Sequence, residues 1–153
     1  MSAIESFENV IIKHFLESFF LFNYIDKNNV IIDFGSGPGF PGIPLKLLDS
    51  SLNIIFIERN QKKIAFLNRI ISDLKLFKCV VFQDISEIYW LNDKKYNVVS
   101  MATAEYEKII KLFNKYLIYI NKFSLIVSNE INSIDKYNYL IHSINLLNRK
   151  ISY

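Results

Sequence analysis

The sequence predicts an α/β fold, an open and mostly parallel sheet with helices on both faces, in a single domain over residues 1–153. Three observations lead to it. Short apolar runs alternate with longer amphipathic stretches along the chain, the pattern of strands joined by right-handed helical crossovers. The first of these runs, NNVIIDF, leads into the loop GSGPGFPGIP, which holds all four Gly and all three Pro of the 153 residues. The second run, LNIIFIE, ends in an acid, Glu58.

Each element follows from its pattern. From Glu8 to Tyr24 the positions Ile11, Phe15, Phe19 and Phe22 recur at three and four, with Ile12, Leu16 and Phe20 beside them. This reads as a helix with a wide buried face, within an N-terminal helix region at 1–27. NNVIIDF is a buried strand that opens a core at 28–131. Pro41 and Pro44 suit the first turn of a helix, where N–H groups have no intrahelical partner, so PGIPLKLLD starts the next one. LNIIFIE is the second strand, and NQKKIAFLNRIISDLK is a helix capped by Asn60 with Ile64, Leu67, Ile71 and Leu74 on one face. KCVVFQD and YNVVSMA read as the third and fourth strands, EYEKIIKLFNKYLIYI as a helix and FSLIVSN as the fifth strand. Residues 132–153 form a shortened C-terminal region.

Composition bounds the function. A chain with 51% hydrophobic and 15% aromatic residues can fill one core. With 18 basic against 15 acidic residues the net charge of +3 permits an anionic partner such as RNA without demanding one. The single cysteine, Cys79, rules out a disulfide framework or a multi-cysteine zinc site within the chain and fits a reducing compartment, so no metal is expected. The apolar stretch Val10–Ile25 is interrupted by Lys13, His14, Glu17 and Asn23, and no signal-peptide pattern is present. A cytoplasmic monomer with no membrane association is expected.

In a doubly wound sheet the ligand site lies beyond the carboxyl ends of the strands, where strand order reverses, and the loop after the first strand faces it. The Gly cluster is that loop. Its spacing, Gly35-x-Gly37-x-Gly39, puts Phe40 where a dinucleotide fingerprint has its third Gly, and no Gly-Lys-Ser/Thr follows to make a phosphate loop. What remains is a backbone-lined cavity at a helix start, suited to a carboxylate, with Glu58 placed to accept two hydrogen bonds from a ribose diol. A nucleoside that carries an amino acid, S-adenosylmethionine, satisfies both. A tight strand-to-helix turn and a solvated strand-end acid are the plainer alternatives. Asp33, just before the loop, would fix its N–H groups or reach the cofactor amine. His14 reads as a packing or surface residue with at most a role in shaping the pocket, and no catalytic group is assigned.

At these residues, DFGSGPGFPGIPL followed by IERNQKKIAFLNRIISDL, the chain resembles the bacterial ribosomal RNA small subunit methyltransferase G family, also called glucose-inhibited division protein B. KHFLES (Lys13–Ser18) is similar to the family's basic-His-x-x-Asp-Ser segment, with Glu17 in place of Asp. The resemblance covers Val10–Leu76 well and the rest loosely. It implies a Rossmann-like class I S-adenosylmethionine-dependent methyltransferase that modifies guanine N7 in 16S rRNA, with small-subunit ribosomal RNA or the 30S subunit as partner. The implied cofactor-binding residues are Asp33, Gly35, Ser36, Gly37, Gly39 and Phe40 in and around the loop, Glu58 and Arg59 after the second strand, and Asp84 and Ile85 after the third.

The departures fall on the substrate side. QDISEI, SMAT (Ser100–Thr103) and VSNE (Val127–Glu130) stand where the family has Arg-Ala-Glu, Ser-Arg-Ala and Lys-Gly. The family's N-terminal helices before FENVIIKHFL are expected to be lacking, and the final sheet hairpin after LLNRKISY to be incomplete. A catalytically inactive S-adenosylmethionine-binding domain and a small-molecule methyltransferase therefore stay open as alternatives. A base in the cleft is not required, because guanine N7 carries an in-plane lone pair and no proton, so alignment alone can lower the barrier. Lys108, Lys111 and Lys115 on one helical face, and Lys62, Lys63 and Arg69 on another, are candidate RNA contacts or simply solvated faces. Phe40 and Tyr106 are candidate stacking rings.

Overall fold

A computed structural model describes residues 3–88, 94–101 and 106–126. Strands β1 (Val30–Phe34), β2 (Ile54–Ile57), β3 (Cys79–Phe82), β4 (Tyr96–Ser100) and β5 (Ile120–Leu125) pair in parallel in the order β3-β2-β1-β4-β5. The order reverses at β1, whose neighbours are β2 and β4, so a crevice opens between the carboxyl ends of β1 and β4. The helices are α1 (Ala3–Leu21), α2 (Gly42–Leu48), α3 (Gln61–Asp73) and α4 (Tyr106–Phe113).

Period-two alternation sorts the strand side chains between two layers. Ile31, Ile54, Phe56 and Val99 pack with Leu21, Ile43, Leu45 and Leu67 from α1, α2 and α3. Ile32, Ile55, Ile57 and Val98 pack with Ile109 and Phe113 from α4. Helices therefore cover both faces, as the alternation of the sequence requires. Asn60 caps α3 as expected, its side chain accepting from the N–H groups of Lys62 and Lys63.

Two expectations are corrected. The wide buried face of α1 is narrower than its apolar pattern: Ile12, Leu16, Phe19 and Phe20 are exposed, while Glu17, Ser18 and Leu21 are buried. Among the described residues α1 packs against one side only, α2 and the Gly loop, so an all-round apolar helix leaves its far side uncovered. The single helix expected from Glu105 to Ile120 ends at Phe113, tightens into a 3₁₀ segment at Asn114–Tyr119 and yields to β5, which starts at Ile120 rather than Phe123. There Ile120 pairs with Tyr96, and Ile120, Phe123 and Leu125 enter the core, a burial that outweighs helical periodicity for residues that also suit a strand. The rest of the expected fifth strand, the final hairpin and the region 132–153 lie outside the described residues, as do Ala102, Thr103 and Val127–Glu130.

Helix α2 starts in an unusual way. Its N-cap is Pro41, which supplies no side-chain hydrogen bond, and the cap comes instead from another element: Asp33 of β1 accepts from Gly42 N–H at 2.9 Å. Only Gly fits there, since a Cβ on residue 42 would overlap the Phe56 ring and lie 2.6 Å from Asp33 Oδ2. At the other end of α2, buried Lys46 donates to the carbonyls of Ser50 and Leu52.

Asp33 has no solvent exposure, and its second oxygen, Oδ1, is buried without a hydrogen-bond partner. Burial pushes its carboxyl up to about 7; the Gly42 N–H and Ser36 hydroxyl oppose that rise and Glu58 adds to it. The native chain then binds a proton that the unfolded chain has lost, from about pH 4, the ordinary Asp range, up to about 7. Stability from this group falls as pH rises through that window and levels off above it. Raising the pH from 6 to 8 should therefore lower the unfolding free energy of the protein by about 1 kcal/mol through Asp33. Urea titrations at the two pH values should show that difference shrinking in Asp33→Asn, and an identical pH difference in the variant would contradict the assignment.

Candidate functional site

The loop after β1 takes its shape from glycine. Gly35, Gly37 and Gly39 hold φ at 72°, 56° and 108°, a region that costs other residues energy. At Gly39 space also forbids a side chain, because a Cβ would meet Ile43 Cγ1 at 2.5 Å. In front of Gly35 and Gly37 the space is open: nothing lies within 4 Å of a Cβ at Gly35, and only the Gly35 carbonyl, at 3.9 Å, near one at Gly37. The loop thus presents bare backbone toward a free volume.

Hydrogen bonds fix that backbone. The N–H groups of Gly35 and Ser36 donate to the Ile57 carbonyl at 2.9 and 3.1 Å, which ties the loop to the end of β2. Ser36 Oγ donates to the Asp33 carbonyl at 2.8 Å. Gly37 N–H donates to Glu58 Oε2 at 2.8 Å, and Asn60 N–H donates to Glu58 Oε1 at 2.8 Å. The acid expected to serve a ribose therefore also clamps the loop. Each of its oxygens keeps a second acceptor site.

The free volume is a cleft of about 490 Å³. Gly35, Glu58 and Arg59 line one side of it, and Ser100, Met101 and Lys108 are among the residues that line the other. Ser36, Gly37, Gly39 and Asp33 are buried in and beneath the loop. Arg59 reaches across to Asp84, its Nη2 3.2 Å from Oδ2. Asp84 caps the short turn Ile85–Glu87, and its carboxyl lies below the usual carboxylate range, chiefly because the Ser86 N–H and hydroxyl donate to it. The side chain of Ile85 is buried in the core beside Ile57. The chain thus gathers Gly35, Glu58 and Arg59 at the cleft, with Asp84 joined through Arg59.

Phe40 faces elsewhere. Its ring lies 5.2 Å from His14 and 5.3 Å from Phe15 of α1, so it packs the loop against that helix. Of the candidate cations, Lys62, Lys63 and Lys111 are exposed, Arg69 pairs with Asp73 at 3.4 Å, and Lys108 lines the cleft. The side chains of Tyr106 and Lys115 lie outside the described residues. Sequence reasoning missed that Lys108, Ile109 and Leu112 border the cleft together, although their i, i+1, i+4 spacing puts them on one helical face. Among the described residues no group of acids, histidines and cysteines could hold a metal ion, and no helix is long and apolar enough to cross a membrane.

Known proteins match this arrangement at two levels. Among solved structures, a StiE O-MT fragment, residues 961–1257, superposes with a TM-score of 0.58 at 18% identity, covering 77% of this chain and 44% of that one. Coclaurine N-methyltransferase bound to N-methylheliamine and SAH gives 0.50 at 13% identity, covering 70% and 32%. These likenesses establish a Rossmann-like class I methyltransferase fold. In sequence, the ribosomal RNA small subunit methyltransferase G of Legionella pneumophila (strain Corby) is 36% identical over 111 residues, 72% of this chain and 53% of that protein. The proteins of that name from Mesoplasma florum and Aster yellows witches'-broom phytoplasma are each 38% identical, covering 76% and 72% of this chain. The chain spans about half the length of these curated relatives. The family model described as rRNA small subunit methyltransferase G matches residues 1–144, and the chain belongs to that family.

Proposed function

We propose that this chain is an S-adenosylmethionine-dependent methyltransferase that modifies guanine N7 in small-subunit (16S) ribosomal RNA, alone or within the 30S subunit. One observation carries the reading. The cleft at the β1/β4 switch point joins a Gly loop open to a ligand, the Glu58 acceptor and two cations, Arg59 and Lys108. Those cations answer the loss of the family-like Arg and Lys-Gly segments, since positive charge reaches the cleft from other elements.

The residues fit the cofactor. The open space before Gly35 and Gly37 accepts the amino-acid end against bare backbone, and Glu58 has acceptor sites left for ribose hydroxyls. The buried, unpartnered Oδ1 of Asp33 lies beneath the same loop, where an ammonium group would complete it. When bound, S-adenosylmethionine supplies an electrophilic methyl group on a sulfonium. The chain's own task is positioning. The loop, clamped by Glu58 and by the Asp33 cap of α2, presents a fixed backbone wall. Arg59 and Lys108 give the cleft a positive lining that draws in an RNA phosphate, with exposed Lys62, Lys63 and Lys111 adding long-range attraction. No side chain has to remove a proton, because guanine N7 has none, and in-line alignment is the source of rate.

Purified protein given methyl-labelled S-adenosylmethionine and small subunits from a strain without the family enzyme should label one guanine at N7. Chemical cleavage at the labile methylated base locates the label. Cofactor binding without transfer would leave an inactive binding domain, and label on a small metabolite instead would move the substrate class.

The loop makes a separate prediction. Gly35→Val forces a β-branched residue to φ near 72° and fills the space before the cleft. Calorimetric titration with S-adenosylhomocysteine should show at least about a tenfold loss of affinity, equivalent to about 1.4 kcal/mol. Equal affinity would reduce the loop to a turn.

A further inference from the structure

Glu17 is a buried acid without a hydrogen bond. Its side chain is 8% exposed, and its oxygens lie 3.5 Å from His14 Nδ1 and 3.8 Å from Lys13 Nζ, both beyond hydrogen-bond length. Among the described residues nothing donates to it. His14 Nδ1 is likewise buried with no hydrogen-bond partner. A carboxyl group that gives up water and gains no donor is costly, and buried polar groups are ordinarily satisfied. The pair therefore has acceptor capacity in reserve.

Its location gives that capacity a use. The α1 turn that carries Glu17 spans the two walls of the candidate site. On one side His14 lies over the Phe40 ring of the Gly loop, 5.2 Å between centroids. On the other, Ser18 Oγ lies 3.9 Å from Sδ of Met101, a residue that lines the cleft just beyond β4. Glu17 sits between these contacts, at the junction of loop, helix and β4 end.

We propose that Glu17 reads the target base as guanine, its carboxylate accepting N1–H and one N2–H of the Watson–Crick edge. This deepens the function proposed above and rests on it. Guanine presents those two donors side by side, which suits the two oxygens of a carboxylate, whereas adenine offers a lone pair at N1 that would face the acid and be repelled. Held by that edge, the base turns its opposite edge, with N7, away from Glu17 and toward the rest of the cleft. Lys13 and His14 stay close enough to balance the acid's charge. Phe40, half-buried between α1 and the loop, offers ring surface beside a base so held.

Inosine in place of the target guanosine tests this, because it lacks the N2 amine and keeps N7. Small subunits are reassembled around RNA with guanosine or inosine at the position the label identifies, and kcat/KM is measured for each. The protein should prefer guanosine by roughly 10- to 100-fold, the discrimination that one well-placed bidentate contact supplies. Glu17→Gln should lose most of that preference, mainly by losing rate on guanosine, while calorimetry shows its affinity for S-adenosylhomocysteine unchanged. Glu17→Asp, which keeps the carboxylate on a shorter stem, should recover part of the preference. Equal rates on the two RNAs with the unaltered protein, or an unchanged guanosine preference in Glu17→Gln that binds cofactor normally, would overturn the role of Glu17 and leave the methyltransferase reading standing. Failure of the unaltered protein to label any guanine would overturn both.

Discussion

The hydrogen bond from Gly42 N–H to the buried carboxyl of Asp33 joins the end of β1 to the start of α2, and the whole Gly loop is strung between its two ends. A helix start normally satisfies its first N–H groups with its own N-cap side chain. Here Pro41 has none to offer, and the cap is reached across nine residues of chain from the central strand. Such a bond contributes about 1 kcal/mol net, but leaving either buried partner unmade costs about 1 to 3 kcal/mol. That asymmetry, together with the absence of room for any side chain on residue 42, pins the helix to the strand.

The loop so anchored is fastened again at its middle. Glu58 takes Gly37 N–H, and the carbonyl of Ile57 takes two more N–H groups, so β2 holds the outer half of the loop while β1 holds the inner half. Two carboxyl groups therefore organise one short stretch of backbone, with Asp33 fully buried and Glu58 at the rim of the cleft. An acid-lined loop is matched to a ligand whose nearby groups are cationic, while Arg59 and Lys108 give the neighbouring wall of the cleft the opposite sign. The division suits a cation held by the loop and an anionic RNA approaching beside it.

Much of this was legible in the sequence because it is local. The order of strands and helices follows from apolar periodicity, the bends of the loop from glycine, and the cap of α3 from Asn60 next to an apolar repeat. Glu58 and Arg59 were legible as the end of the second strand, and both line the cleft. The failures are contacts made through space. Nothing in IIDF shows that Asp33 will cap a helix nine residues later, nor in EYEKIIKLF that Lys108 will border a cleft. The face of α1 could not be chosen from its pattern, since Ile12, Leu16, Phe19 and Phe20 are as apolar as the residues that pack, and only the neighbouring elements decide which are covered. Helix α4 ends at Phe113 for a similar reason, because a strand partner, Tyr96, competes for Ile120.

The dependence of the site on Asp33 is measured most directly by amide hydrogen exchange and cofactor titration on the same Asp33→Ala protein. Exchange should quicken through Gly35–Ile43 while the β1, β2 and β4 amides stay protected, and affinity for S-adenosylmethionine should fall at least about a hundredfold, equivalent to about 2.7 kcal/mol, as the loop loses its inner anchor. Full affinity in a variant whose loop amides exchange no faster than before would contradict the central place given to this acid.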